Sequence, residues 1–346
     1  MTRTYASTPE AKRVYALVES LQRYFVDQLD AFSASYGEER ACEAVEWLRE
    51  EGRFGGGLRY ETRDEILFNR GSVNISQIHY EGEPSKKLAS ATAISTIVHP
   101  KNPHLPSMHM HISWTQMKEG RGYWRIMADL NPSIEEETTK RAFFEMLKAV
   151  SARYYESGVA QGERYFYIPA LKRHRGVAHF YLEDFNSGDF EADLQFAQRF
   201  GKAVIAQYMQ ILHRMFEAHP DYTSREKEMQ LAYHTLYLFQ VLTLDRGTTS
   251  GLLVHDQNDI GILGSLPAYV DVDLLASWAK KVPFPQEKLV EAIVAELDRA
   301  EGAALIADDV KKRLAQTVRE HYRSYPEALK LQASGNITPP TVENHR

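Results

Sequence analysis

Residues 108–130 read MHMHISWTQMKEGRGYWRIMADL, and they decide the fold class. From Met108 to Thr115 the pattern alternates strictly. Met108, Met110, Ile112 and Trp114 point one way; His109, His111, Ser113 and Thr115 point the other. Strand side chains change face at every residue, so this is a strand with one apolar and one polar face. Residues 123–130 form another. Trp124, Ile126, Ala128 and Leu130 share one face; Tyr123, Arg125, Met127 and Asp129 share the opposite one.

Upstream, residues 66–70, 73–80 and 92–99 are short alternating or β-rich runs separated by turn residues. His99-Pro-Lys-Asn-Pro103 is a loop. Before these strands, residues 9–32 repeat Val14, Leu17, Val18, Leu21, Phe25 and Leu29 at helical spacing. A second amphipathic helix is expected over 38–51, ended by Gly55-Gly56-Gly57. Downstream, Ser133-Ile-Glu-Glu136 has the form of a capping box and opens a helix expected to stop at Gly158. Residues 164–168 and 177–184 read as strands, 189–217 and 225–232 as helices, and 236–244 as a strongly apolar strand. Short strands are expected to about 265. Charged amphipathic helices then cover 286–299 and 302–324. The order is helices, consecutive strands, then both mixed. That argues for α+β with a mainly antiparallel sheet covered by helices.

The chain has 346 residues and a net charge of −6, so an anionic ligand must meet a local arginine cluster, not a global positive field. This speaks against a general nucleic-acid binder. The single cysteine, Cys42, excludes an internal disulfide and fits a reducing compartment. Cys42 reads as packing on the 38–51 helix. No apolar leader opens the sequence, and no run approaches the ~18 apolar residues of a membrane span. A cytoplasmic protein without a membrane span is expected.

Gly55-Gly56-Gly57 lacks the helix that a phosphate loop requires after it. His109-x-His111 is a possible metal pair, with His99, His104, Asp129 and Asp184 as further donors; the plainer reading is a hydrogen-bonded polar strand face. No G-x-S-x-G elbow supports serine catalysis.

Five segments in register resemble the oxygen-dependent coproporphyrinogen III oxidases. They are GGGLRYETRDEILFNRGSVNIS (55–76), the His99-Pro-Lys-Asn-Pro-His-Leu-Pro-Ser-Met-His109 run, and Ala128-Asp-Leu-Asn-Pro132 with its acidic helix start. Arg175-Gly176 leading to Glu183-Asp-Phe-Asn186 is the fourth, and Leu244-Asp-Arg-Gly-Thr248 with Gly251-Leu252 the fifth. The resemblance runs from about 12 to 275. The C-terminal part, without a counterpart in the family, reads from its pattern as a helical extension at 276–332 and a disordered tail at 333–346. The resemblance implies one domain over 1–275. It also implies a large flat antiparallel sheet flanked by helices on both faces, and a homodimer. The implied activity is oxidative decarboxylation of a tetrapyrrole substrate, coproporphyrinogen III, with O2 as co-substrate and no metal or organic cofactor.

On these residues the resemblance assigns the catalytic roles to His109 and Asp129. Asp129 would take a pyrrole proton, with its pKa raised by burial. His109 would donate or relay protons. Ser95, His111, Ser113, Arg125, Arg175, Arg246 and Gln257 make up the expected substrate-binding set. Arginines would hold the propionates in bidentate fashion. Here the chain departs from the family. Its H-x-N-V-R run becomes His109-Met-His111-Ile-Ser113, and its GGR becomes His255-Asp-Gln257. Histidines the family carries near positions 140 and 170 are absent. Arg125 is the candidate replacement for the arginine lost at 113, with Arg59, Arg175 and Arg246 also available. A paralogue with another carboxylated substrate, a non-catalytic tetrapyrrole-binding protein and a metal-dependent hydrolase remain alternatives.

Overall fold

The computed structural model describes residues 2–36, 42–62, 66–298, 302–336 and 342. Helix α1 (Pro9–Ser35) starts where Thr8 accepts a hydrogen bond from the Ala11 amide and Pro9 occupies the first turn. Its apolar stripe, from Val14 to Phe32, is buried. Five long strands follow: β2 (Gly55–Thr62), β3 (Phe68–His79), β4 (Leu88–Pro100), β5 (Ser107–Met117) and β6 (Gly122–Asn131), with the short β1 (Glu43–Leu48) before them. Helices α2 (Glu137–Ser151) and α3 (Tyr155–Phe166), then the small ribbon β7 (Tyr167–Ile168) and β8 (Arg173–His174), lead to β9 (Ala178–Phe185). The sheet order is β1-β2-β3-β4-β5-β6-β9, antiparallel throughout. The chain is therefore α+β.

One face of the sheet carries Met108, Met110, Ile112, Trp114, Trp124, Ile126, Ala128 and Leu130. They pack under α1 and α4 (Phe190–Ala218), and Trp114 lies directly opposite Trp124. The other face is covered by α5 (Ser224–Thr243), α6 (Arg246–Val254) and α7 (Asp259–Ile262). A second apolar cluster joins α5 to α8 (Val272–Ala279), α9 (Gln286–Ala295) and α10 (Asp308–Ser324), so it spans both sides of residue 275. The strands β10 (Tyr269–Asp271) and β11 (Ala303–Leu305) pair beside it.

Several expected elements differ. The helix at 38–51 is β1 followed by a tight turn at Glu50–Gly52, and Cys42 is buried just before the strand; residues 37–41 lie outside the described residues. The strands expected at 66–70 and 73–80 are one, β3. The capping residue of α2 is Glu136, whose carboxylate accepts from the Thr139 amide. The chain breaks at Ala152, with φ 45°, and resumes as α3, which passes through Gly158. Gly158 does not stop that helix. A Cβ there would lie 2.1 Å from the Phe180 ring, so glycine lets α3 lie close on β9. Most of the strand expected at 164–168 is the end of α3.

The apolar run 236–244 is the last half of α5, buried on every side. A short all-apolar run fits a buried strand or a buried helix equally well, and here length and the Thr223–Glu226 capping box settle it as helix. The strands expected up to 265 are α6, α7 and a single turn. In the expected tail, Ala333–Asn336 are hydrogen-bonded to the body; 337–341 and 343–346 lie outside the described residues. No helix among the described residues is long and apolar enough to cross a membrane.

Candidate active site

A cavity of about 300 Å³ lies between the polar face of the sheet and α6–α7. One rung of the sheet forms its floor. Asn74 of β3 pairs with Ser95 of β4, Ser95 with His111 of β5, His111 with Met127 of β6, and Met127 with Tyr181 of β9. All five line the cavity. Strict alternation on each strand puts them there.

One rung towards the β5 N-terminus, His109 faces Asp129 across the strands. His109 lines the cavity, with a side chain 17% exposed, while Asp129 is fully buried behind it. His109 Nδ1 lies 2.7 Å from Asp129 Oδ1. The other carboxylate oxygen accepts from Arg175 Nη2 at 2.7 Å and from Asn131 Nδ2 at 2.6 Å. Arg175 is itself buried between the rings of Phe166 and Tyr237, and donates to Gln240 Oε1 at 2.7 Å. Burial alone would push the Asp129 carboxyl up. The Arg175 guanidinium, His109 and the Asn131 amide overrule it and hold it well below the usual carboxylate range.

Two expectations are corrected here. Asp129 is held below the usual carboxylate range, not raised, and has no cavity surface of its own. Arg175 is spent on Asp129 and does not reach the cavity. The pair instead fixes the imidazole. An Nδ1–H donated to a carboxylate leaves Nε2 with its lone pair, and among the described residues Nε2 has no protein partner.

His111 is held differently. Its Nδ1 lies 2.7 Å from Ser95 Oγ and its Nε2 2.9 Å from Ser113 Oγ. Burial, with Arg125 and His109 nearby, lowers its pKa to about 3, so the ring is neutral. Both ring nitrogens of His111 lie within hydrogen-bond distance of hydroxyls, whereas His109 is held by a carboxylate. His99 is likewise buried between Ser107 Oγ at 2.8 Å and the Ser265 carbonyl at 3.0 Å. Ser113 is buried and sits behind His111, off the cavity surface.

Directly opposite Ser113, on β6, is Arg125. It lines the cavity with its guanidinium 5.6 Å from the Tyr123 ring. Arg246, at the first turn of α6, is the second cavity arginine and pairs with the buried Glu183. Gln257 is exposed and accepts from the Glu50 amide at 3.0 Å. It does not line the cavity, and this expectation is corrected too. The neighbouring His255 lines it instead, beside Arg49.

The sequence reading missed Tyr165, Tyr181 and Glu183. Burial pushes Tyr181 up to about 12 despite Arg125 and Arg246, so it stays a neutral donor. Tyr165 donates to Asp245 Oδ2 at 3.0 Å. Tyr181 and Glu183 alternate in phase on β9, opposite the apolar Phe180 and Leu182. That signal was present in the sequence. Tyr165 stands on a helix whose packing the sequence does not reveal.

Fold and site together set a cavity with two arginines in its lining between a sheet and a helical cap, beside an imidazole held by a buried carboxylate. The chain belongs to the coproporphyrinogen III oxidase family, which it matches over residues 13–298. It is 34% identical over 241 residues to an oxygen-dependent coproporphyrinogen-III oxidase of Rickettsia bellii (strain OSU 85-389), covering 65% of this chain and 82% of that one. The protein of the same name from Rickettsia akari (strain Hartford) is 32% identical over 239 residues, with the same coverage. That from Rickettsia africae (strain ESF-5) is 29% identical over 268 residues, 72% of this chain and 94% of the relative.

Proposed function

We propose that this chain is an oxidoreductase that converts coproporphyrinogen III to protoporphyrinogen IX with O2, in heme biosynthesis. The observation that carries the reading is the His109–Asp129 rung, set in the cavity wall of a chain of this family. Each propionate becomes a vinyl group by losing CO2 from its carboxyl and a hydrogen from the carbon nearest the ring. The two electrons released reduce O2 to H2O2. Peroxide needs two protons: the substrate supplies one, and an acid supplies the other.

His109 supports both transfers. Its Nε2 lone pair accepts a proton from a pyrrole N–H. The imidazolium so formed is stabilised by the Asp129 carboxylate and delivers that proton to the peroxide, and the pyrrole nitrogen is reprotonated from water as the vinyl group forms. Asp129 is therefore a positioning residue in this reading, and His109 the catalytic one. Arg125 and Arg246 hold substrate carboxylates. Ser95 and Ser113 orient His111 as a neutral contact to the ring. A four-carboxylate macrocycle exceeds the cavity, whose volume lies at the low end for small-molecule sites. The reacting pyrrole edge enters first.

The reading takes O2 as the sole co-substrate, with no metal or organic cofactor. It also takes the enzyme as cytoplasmic and, as the family resemblance implies, a homodimer. The test is an aerobic assay with coproporphyrinogen III, reading protoporphyrin fluorescence after reoxidation and CO2 release. Turnover that stops under anaerobic conditions and survives chelation is the expected result. No turnover in the aerobic enzyme would reject the substrate.

A further inference from the structure

The family match ends at residue 298, yet residues 332–336 return to the back of the cavity wall. The geometry points to this segment as a strap that positions the cavity arginine Arg246, a role that rests on the proposed substrate only for its kinetic consequence. The intermediary is Glu183. It is fully buried, and a buried carboxylate must be met by donors. Arg246 meets Oε1. The backbone amides of Gly335 and Asn336 meet Oε2, at 2.9 and 2.6 Å. The carboxylate is thus shared between the cavity wall and the strap.

The strap is itself anchored at several points. The Ala333 amide donates to the Leu244 carbonyl at 3.0 Å, two residues before Arg246. Arg164 Nε donates to the Gly335 carbonyl at 2.6 Å, and Gln332 donates to Thr249 Oγ1 on α6. Ala333 also packs on the cluster of Met127, Tyr165 and Tyr181, all three of which line the cavity. Gly335 lies so close that a Cβ would come 2.9 Å from Tyr181 Cδ1. Removing the strap takes two amides from Glu183 and opens its carboxylate to water. The Arg246 guanidinium then follows a carboxylate that has lost its fixed position.

Two shortened chains isolate the effect: one ending at Asn336, which keeps the strap, and one ending at Gln332, which removes it. The first readout needs no substrate. Arg246 is labelled with phenylglyoxal and the modified peptide is followed by mass spectrometry. The chain ending at Asn336 should label at the full-length rate, and the chain ending at Gln332 about tenfold faster, the equivalent of losing one charge-assisted hydrogen bond. The second readout is turnover of coproporphyrinogen III. KM should rise about tenfold in the chain ending at Gln332, with kcat little changed, since a substrate anchor and not the imidazole is displaced.

Equal labelling in all three chains overturns the proposal. So does faster labelling already present in the chain ending at Asn336. Should the chain ending at Gln332 fail to fold, Gly335→Leu in the full-length chain displaces the strap by crowding Tyr181. A folded Gly335→Leu protein that labels like the parent overturns the proposal equally. Altered labelling without any turnover would reject the substrate and leave the strap standing.

Discussion

The two ends of the β5–β6 pair make an instructive contrast. At one end His109 faces Asp129, and Asp129, Arg175, Asn131 and Gln240 close into a buried network. Two rungs away Ser113 faces Arg125, and the arginine turns to the cavity. The family run that the sequence resembles has its histidine and aspartate at the first end, while Ser113 stands in place of an arginine at the second. A buried charge network tolerates little substitution, because removing one partner strands another charge at a cost of about 3–5 kcal/mol. An anchoring arginine can move to the neighbouring strand, since opposed residues share one face about 5 Å apart. On the proposed reading, chemistry and anchoring are separable along the same two strands.

The strongest way to break this contrast is at the buried end. Asp129→Asn keeps the shape and a hydrogen-bond acceptor for His109 but removes the charge that supports an imidazolium. Loss of such a carboxylate from an imidazole pair typically costs about 10³–10⁴-fold in kcat. Steady-state kinetics should show that drop with KM little changed. A loss under tenfold would mean that Asp129 has only a packing role.

The smallest expected effect is at His111, the rung between the two ends. Its folded pKa, about 3, lies below the unfolded value near 6.5. The unfolded chain therefore binds the proton first as pH falls. The stability contributed by neutral His111 is complete above about pH 6.5 and is lost progressively towards pH 3. His111→Asn removes that term. The difference in melting temperature between pH 7.5 and pH 4.5 should be smaller in the variant than in the parent. An equal difference would mean that the ring is solvated and titrates normally.

Much of this was legible in the sequence, but unevenly. The alternation of 108–115 and 123–130 defined both faces of the sheet, and with them the cavity positions of His109, His111 and Arg125. The pairing of Ser113 with Arg125 was not legible, because register depends on how the two strands align. Nor was the state of Asp129. Its pKa is decided by Arg175, which lies 46 positions further along the chain. Arg175 and Gln257 looked like equivalent polar candidates in one dimension. Packing buried the first against Asp129 and left the second on the surface, tied to the Glu50 amide. The α5 helix was misread because apolar residues on every side erase the periodicity that separates helix from strand.

The most direct measurement of the central claim compares KM for coproporphyrinogen III in the parent, in Arg125→Ala, and in Arg125→Ala combined with Ser113→Arg. Losing one charge-assisted contact should raise KM about 10- to 100-fold in the single variant, with kcat held within a few-fold. Restoring an arginine on the opposite strand should recover most of that loss. An unchanged KM in Arg125→Ala would contradict the account, because the anchor lost at position 113 would then not have moved across the rung.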